Sequence, residues 1–324
     1  MSDGRVRPTS TEAPSAEPKQ TGGRLGAILR SGSFAVTGEI VPPRGADGRE
    51  VTAHARALVG SVDAVNVTDN PTASAHMSAV AGSAFVARAG IEPTLQITCR
   101  DRNRLAITSE LFGAWALGAR NVLCLTGDPM HIGDEPDAAS VHDLGVLDVV
   151  GSLRRLRDEG IAPNGDEVAD PPRFLIGAAE TPLADPYDPS HLERKMDAGI
   201  DVAWTQIAYD VEGLAAWADD ARSRGVFERV SVLVGVVPLR TVAGARFMHD
   251  KLPGVRVPPG MTEALESAGA DAERVGLDLT IQVVSGIRGI DGIAGVHLMG
   301  MGHDDAVRAV VEGAGLYPRP TGTL

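Results

Sequence analysis

Residues 94–125, TLQITCRDRNRLAITSELFGAWALGARNVLCL, contain a complete strand–helix–strand unit. Residues 94–98 and 121–125 are short and mostly apolar, which is typical of buried strands in a parallel sheet. Between them, apolar residues recur at helical spacing over residues 103–117, and the Gly-Ala pair of LGARN marks the end of that helix. The unit predicts one strand–helix repeat of an α/β fold.

The same unit recurs along the chain at intervals of roughly 30 residues. The eight predicted strands are residues 34–40, 64–68, 94–98, 121–125, 174–178, 202–206, 230–236 and 295–299. Eight strand–helix units predict a single-domain TIM barrel, and no G-x-G-x-x-G turn favours the alternative, an open doubly wound sheet. We assign residues 24–324 to the barrel. Residues 1–23 are rich in Pro, Ser, Thr and Glu, and we expect a disordered tail there.

Composition and charge exclude several classes of protein. The 324 residues carry a net charge of −13 and no cluster of Lys and Arg longer than a pair, so we expect no nucleic-acid partner. No apolar run approaches the roughly 20 residues of a membrane helix, and no signal-peptide core is present at the N-terminus. The two cysteines are far apart and fit no metal or redox spacing, which favours a cytoplasmic enzyme.

The active site of a TIM barrel lies at the C-terminal ends of its strands, and most predicted strands here end in carboxylate, amide or hydroxyl side chains. Glu39 interrupts an apolar segment, and a carboxyl in such surroundings can stay protonated and act as a general acid. The alternatives are a solvated residue at the strand end and a salt bridge to Arg44. Asp128 follows Gly127, which lets the backbone approach a ligand closely, although Asp at this place is also a common helix cap.

Two further features point to ligand binding. Gln206 ends a buried strand and suits the edge of a heterocycle, or else is a hydrogen-bonded core amide. The run from His191 to Lys195 opens a predicted helix, so it predicts an anion site, with a solvated helix face as the alternative. The eight histidines show no metal-binding spacing, and we predict no metal site.

Six features of the sequence resemble, in their order and spacing, the methylenetetrahydrofolate reductase family. They are Glu39 with its following Pro-Pro, Thr68, LQITC, Gly127-Asp128, Thr205-Gln206 and LERKMDAG, and the resemblance runs from about residue 34 to residue 311. It implies a barrel that binds FAD at the strand ends and takes hydride from NAD(P)H. The implied reaction reduces 5,10-methylenetetrahydrofolate to the 5-methyl product. The alternative is the reverse oxidation, in one-carbon catabolism.

The resemblance also implies roles for individual positions. Glu39 matches the family's general acid, Asp128 the carboxylate beside flavin and folate, and Gln206 the amide that contacts the pterin. Gln96 stands at a substrate-binding position where the family has His. The positions that match cofactor contacts are Thr68, Gly127, Asp188, His191, Arg194 and Lys195. The chain departs from the family pattern at Thr126, Ala179 and Val242.

Two other functions compete with a reductase. One is a metal-dependent lyase or aldolase that uses carboxylates at the same barrel mouth. The other is a non-catalytic, folate-binding partner subunit that has lost its flavin contacts. We also expect a small-molecule folate ligand, no membrane partner and a possible homo-oligomer.

Overall fold

A computed structural model describes residues 21–320 and contains a closed barrel of eight parallel strands. Each strand pairs with the next along the chain, and β8 closes the barrel by pairing with β1. The strands are β1 Ala35–Ile40, β2 Ala64–Val67, β3 Glu92–Thr98, β4 Asn121–Leu125, β5 Leu175–Glu180, β6 Val202–Ile207, β7 Ser231–Val236 and β8 Ile293–Leu298. The predicted TIM barrel is confirmed, with strand bounds shifted by at most two residues.

Helices follow the strands and cover the outside of the barrel. Those of the described part are α1 Arg24–Arg30, α2 Gly48–Leu58, α3 Ala79–Arg88, α4 Arg104–Ala116, α5 Val146–Glu159, α6 Ser190–Ala198, α7 Val211–Ser223, α8 Val242–Lys251, α9 Pro259–Ala268, α10 Ala272–Arg288 and α11 Asp304–Gly313. Helix α4 confirms the helix expected over residues 103–117. The longest connection, between β7 and β8, contains α8, α9 and α10.

Side chains of each strand alternate between two apolar layers, as the period of a strand requires. Val65 and Val122 point outward and pack with the helices in the larger core. Ala64 and Leu123, their neighbours in sequence, point into the barrel. Trp204 fills the interior opposite Gly177, where an added Cβ would lie 2.1 Å from the indole ring. The interior is therefore a packed core, and a ligand can enter only at its ends.

Helix α1 closes the N-terminal end of the barrel with Leu25 and Ile28. The buried Glu92 carboxylate caps this helix by accepting hydrogen bonds from the backbone N–H groups of Arg24 (2.5 Å) and Leu25 (3.1 Å). Asn121 Nδ2 donates to the same carboxylate at 2.8 Å. At this end Arg319, close to the C-terminus, also forms an ion pair with the buried Asp63 at 2.7 Å.

Apolar residues at helical spacing over residues 73–88 predict one helix, but α3 begins only at Ala79, because residues 70–76 form an irregular segment that contains a 3₁₀ turn. The predicted tail of residues 1–23 mostly lies outside the described residues. Its last part packs on the barrel, since Gly22 N–H donates to the Arg173 carbonyl at 3.0 Å. None of the helices within residues 21–320 is both long and apolar enough to cross a membrane.

Candidate functional site

The C-terminal strand ends bring Glu39 together with Gln96 and a third residue, His297. Gln96 Nε2 donates to Glu39 Oε2 at 3.3 Å, and His297 Nε2 lies 3.6 Å from the same oxygen. The Glu39 side chain is 15% exposed, so its carboxyl faces the barrel mouth while most of its surface is covered. Arg44 pairs with Asp134 and not with Glu39, so the alternative salt bridge is absent. Two residues that were predicted separately for the site, Glu39 and Gln96, are thus in direct contact.

His297 was not singled out by the sequence, although it interrupts the apolar run GVHLM of β8. Its imidazole is buried, and its Nδ1 lies 2.9 Å from Thr37 Oγ1. Thr37 and His297 are register partners where β8 meets β1. This contact orients the ring so that Nε2 faces Glu39. A lone histidine in an apolar strand was the available signal, but only barrel closure shows what it faces.

The wall formed by β2 and β3 presents polar groups to the same interior. Asn66 is the register partner of Glu39 and is fully buried. Neither polar atom of the Asn66 amide has a hydrogen-bond partner within residues 21–320, and the same holds for the hydroxyls of Thr68 and Thr94. A buried polar group without a partner costs about 1–3 kcal/mol. Thr68 directly follows β2, so its hydroxyl is the unpartnered group of this wall that lies nearest the mouth, and its cofactor-binding role stays a prediction.

Asp128 lies on the loop after β4, at the exposed rim of the mouth. Its carboxylate accepts a hydrogen bond from the backbone N–H of Thr72 at 2.7 Å. The carboxylate thus joins the β4 loop to the β2 loop and does not cap the segment that follows it. Gly127 has φ +91°, and an added Cβ would lie 2.8 Å from Arg100 Cβ. Glycine at position 127 is required here by the close approach of Arg100.

A network of buried charges supports these loops. Arg102 forms a two-pronged ion pair with the buried Asp69, at 2.7 and 3.0 Å. Asp101 accepts hydrogen bonds from Arg100 and Asn70. Burial alone would raise the pKa of Asp101, but these hydrogen bonds and the charges of Arg100 and Arg102 lower it below its usual value. Asp101 therefore stays ionised as the partner of Arg100.

Gln206 lies at the end of β6 and is only half-buried. Its Oε1 accepts from the N–H of Ile207 at 2.9 Å, and its Nε2 donates to the carbonyl of Pro253 at 3.2 Å. The amide thus holds the chain that follows α8 against the barrel mouth. A ligand that contacts this amide must compete with the Pro253 carbonyl.

A cavity of about 600 Å³ opens at the ends of β4 and β5. Its lining residues include Leu125, Thr126, Val146, Leu147, Asp148, Ala178, Ala179, His191, Arg194 and Lys195. Lys195 Nζ donates to the Ala179 carbonyl at 2.6 Å and to Glu180 Oε2 at 2.9 Å. Among residues 21–320, the exposed Arg194 side chain makes one hydrogen bond, to the Ser190 carbonyl of its own helix. The guanidinium is therefore available to an anion.

Asp188 is not part of the cavity lining. Its carboxylate accepts from the N–H of Ser190 at 3.0 Å, at the start of α6. The hydrogen bonds from Ser190, helped by His191 and Arg194, hold the pKa of Asp188 below its ordinary value. The carboxylate thus stabilises the N-terminus of α6, which carries His191, Arg194 and Lys195 into the cavity.

A second cavity, of about 400 Å³, adjoins Glu39 on the β1 side. Pro42, Pro43 and Met301 line it, together with His54 and His76. His54 Nδ1 lies 2.6 Å from Asp304 Oδ2. Over residues 21–320, no three His, Cys, Asp or Glu side chains are grouped so that they could hold a metal ion.

Comparisons with known proteins and with a family model all point to the same family. A family model described as methylenetetrahydrofolate reductase matches residues 24–315. Methylenetetrahydrofolate reductase 1 of Schizosaccharomyces pombe is 28% identical over 236 residues, which are 70% of this chain and 36% of that protein. The 5,10-methylenetetrahydrofolate reductase of Salmonella typhimurium is 27% identical over 240 residues, 71% of this chain and 73% of that protein. The matched region is therefore only about a third of the yeast relative's length.

Among solved structures, the fold is similar to that of an uncharacterized Clostridium thermocellum protein. The TM-score is 0.58 at 13% identity, and the match covers 90% of this chain and 98% of that chain. That protein is described as binding two copies of 5-methyl-5,6,7,8-tetrahydrofolic acid. At this identity the likeness establishes the shared fold.

Proposed function

The chain belongs to the methylenetetrahydrofolate reductase family, and from this premise we propose that it transfers hydride from NAD(P)H to 5,10-methylenetetrahydrofolate, giving 5-methyltetrahydrofolate, or catalyses the reverse oxidation. The observation that carries the proposal is the contact of Glu39 with Gln96 and His297 at the mouth of the barrel. The methyltetrahydrofolate ligand of the Clostridium structure supports the substrate class.

The reaction needs a proton at one defined atom. Opening the five-membered ring breaks the bond between the methylene carbon and N10, whose electron pair must be protonated. The N5 iminium that remains accepts hydride at its carbon and becomes the methyl group. Glu39, in its protonated form, supplies the proton to N10, a step worth roughly 10²–10⁴-fold in rate for a well-placed acid.

Glu39 is held in position by its two neighbours. Gln96 donates to one carboxyl oxygen, and His297 approaches the same oxygen from β8. The other carboxyl oxygen is therefore the one that can face the substrate and carry the proton. Asp128, at the rim, stabilises the cationic iminium by its negative charge. Gln206 fixes the pterin once its amide leaves Pro253.

The cavity at β4 and β5 fits a nucleotide cofactor, and we propose FAD. Its walls at Leu125, Val146 and Ala179 are apolar, and the Arg194 guanidinium, which uses Nε to bond to Ser190, has its remaining N–H groups for a diphosphate. His191 lines the same cavity, Thr68 and Gly127 lie at neighbouring strand ends, and Asp188 and Lys195 act by fixing α6 and the end of β5. A bound flavin supplies a hydride carrier between NAD(P)H and the folate.

Two further properties complete the proposal. We propose a cytoplasmic location, since Cys99 and Cys124 are both free and buried. We also propose a homo-oligomer, for which α4 offers an apolar outer face with Leu105 and Phe112 exposed.

The test is a comparison of two assays on the purified protein. NAD(P)H oxidation is measured with 5,10-methylenetetrahydrofolate and with an artificial quinone acceptor, and the folate product is identified by mass spectrometry. We expect 5-methyltetrahydrofolate, and a flavin absorbance spectrum either as purified or after FAD is added. Folate binding without any turnover would instead identify a non-catalytic subunit. Cleavage of the substrate that EDTA abolishes and that consumes no NAD(P)H would identify a metal-dependent lyase.

A flavin-free protein with intact reductase activity would overturn the FAD proposal alone. Charge reversal at Arg194 is the matching variant, because it replaces an exposed cation of the cavity lining with an anion. It should weaken FAD binding, more strongly at low salt. The control is Arg246→Glu, because Arg246 lies on α8 in an exposed ion pair with Glu266.

A further inference from the structure

The segment CRDRNR after β3 has no part in the chemistry described above. Its first arginine, Arg100, is 1% exposed although it stands at the rim of the mouth. The guanidinium donates to both Asp101 oxygens at 2.6 and 2.8 Å, to the Asp128 carbonyl at 3.1 Å and to the Asn70 carbonyl at 3.2 Å. One side chain thus joins the loops that follow β2, β3 and β4.

The two carbonyl contacts close a ring. The β2 loop runs from Asn70 to Thr72, whose N–H donates to the Asp128 carboxylate. Arg100 holds both ends of this arrangement, the carbonyl of Asn70 and that of Asp128. The direction of the Asp128 carboxylate is therefore fixed by Thr72 on one side and by Arg100 on the other.

The β2 loop would not keep this shape by itself. Asn70, Thr72 and Ala73 have φ values of +45°, +53° and +53°. Residues other than glycine rarely adopt this left-handed region of the backbone. Such a conformation persists only where surrounding contacts impose it. The Asn70 and Thr72 contacts just described are two such constraints, and a third is the N–H of His76, which donates to Asn70 Oδ1 at 3.1 Å.

Arginine is the side chain that this arrangement requires. The hydrogen bond to Asp101, together with nearby Asp69 and Asp128, raises the pKa of Arg100, so the group remains charged. A planar guanidinium forms a bidentate hydrogen bond with a carboxylate and still has N–H groups that can donate to two carbonyls. A lysine ammonium keeps the charge but cannot make these four contacts together.

We propose that Arg100 is a positioning residue that aims the Asp128 carboxylate at the reacting folate by holding the Asn70 and Asp128 peptides. This proposal rests on the proposed function for its catalytic consequence. Its structural consequence, the order of the β2 loop, is independent of any activity.

The test is a double-mutant cycle with Arg100→Lys and Asp128→Asn. We expect Arg100→Lys to lower folate-dependent kcat by about 10- to 100-fold, as small misplacements of a catalytic group do. Quinone-linked NAD(P)H oxidation should fall much less. In the Asp128→Asn background, Arg100→Lys should cause no further loss. The matched control is Arg102→Lys, since Arg102 is also a buried arginine of the same loop, but its hydrogen bonds go to Asp69, Glu110 and Thr98 and not to Asn70 or Asp128.

Hydrogen exchange of the Thr72 amide gives a second readout. It should speed up in Arg100→Lys and Asp128→Asn and stay unchanged in Arg102→Lys. Unchanged exchange in Arg100→Lys, or equal kcat losses with and without Asp128→Asn, would overturn the positioning role. If Asp128→Asn keeps full turnover while Arg100→Lys loses it, Arg100 acts by another route and the inference is wrong. In a further outcome, the wild-type protein shows no turnover with folate while the Thr72 amide still exchanges faster in Arg100→Lys. That result would overturn the proposed function, but not the order that Arg100 imposes on the β2 loop.

Discussion

Thr37 and His297 lie opposite each other at the seam where β8 closes on β1, with Thr37 Oγ1 2.9 Å from His297 Nδ1. The contact directs the other ring nitrogen at Glu39, 3.6 Å away. The proposed acid is thus oriented by the last strand of the barrel, although it stands on the first. The site exists only when the barrel is closed.

The first prediction concerns the proton donor. Glu39→Gln keeps the size of the side chain and its bond to Gln96, but it cannot deliver a proton. Folate-dependent turnover should fall by ~10² or more, while quinone-linked NAD(P)H oxidation stays near the wild-type rate. Wild-type turnover with folate in this variant would show that Glu39 is not the acid.

The second prediction concerns the seam. Thr37→Val removes the hydroxyl that orients His297, and the loss of one hydrogen bond of about 1 kcal/mol should lower folate-dependent kcat about fivefold. Thr280→Val is the control, because Thr280 is equally buried and, within residues 21–320, its hydroxyl donates to the Gly276 carbonyl of α10 and accepts from the Leu239 N–H. The control should lose stability and keep its kcat. Equal kcat values for both variants would argue against the seam.

The third prediction concerns the N-terminal end of the barrel, where Glu92 caps α1. Glu92→Gln replaces one of two buried acceptor oxygens with an amide NH₂, so at least one donor of α1 or Asn121 loses its partner. The free energy of unfolding in urea should fall by about 1–3 kcal/mol. Glu312→Gln is the comparison, since its exposed pair with Arg308 should contribute less than about 1 kcal/mol. A similar small loss at both sites would contradict the capping role.

The fourth prediction separates backbone conformation from crowding. Gly127 and Gly165 have nearly the same φ, +91° and +93°. A Cβ added at Gly127 would lie against Arg100 and Thr98, whereas one added at Gly165 would have no atom of residues 21–320 within 4 Å. Gly165→Ala should cost about 1–2 kcal/mol of stability through conformation alone. Gly127→Ala should cost more and should also lower folate-dependent turnover by displacing Asp128. Equal stability losses in Gly127→Ala and Gly165→Ala would mean that Arg100 can shift away from the added methyl group without cost.

The fifth prediction concerns thiol reactivity. Burial raises the pKa of Cys99 to about 11 and that of Cys124 further. At pH 8 the thiolate fraction of Cys99 is then about one in a thousand, so a disulfide reagent should label neither residue in the native protein. Both should react promptly in denaturant. Fast native labelling would show that the barrel opens near β3 and β4.

The sequence by itself determined the barrel and the position of its mouth. Strand and helix periodicities are local, so the runs at residues 94–98 and 121–125 identified their elements without knowledge of the partners. Because strand ends converge in this fold, Glu39, Gln96 and Asp128 could be placed at one rim from sequence. Residues 70–76 were predicted poorly, because the left-handed conformations of Asn70 and Thr72 depend on distant contacts.

Only the tertiary structure decided which side chains meet. Thr37 and His297 are separated by 260 positions, and their register follows from closure of the sheet. Gln206 bonds to Pro253, Lys195 to Glu180, and Arg100 to the peptides of Asn70 and Asp128. These contacts join residues far apart in the chain and have no periodicity of their own. Their geometry is set by the packing of loops that the local sequence does not encode.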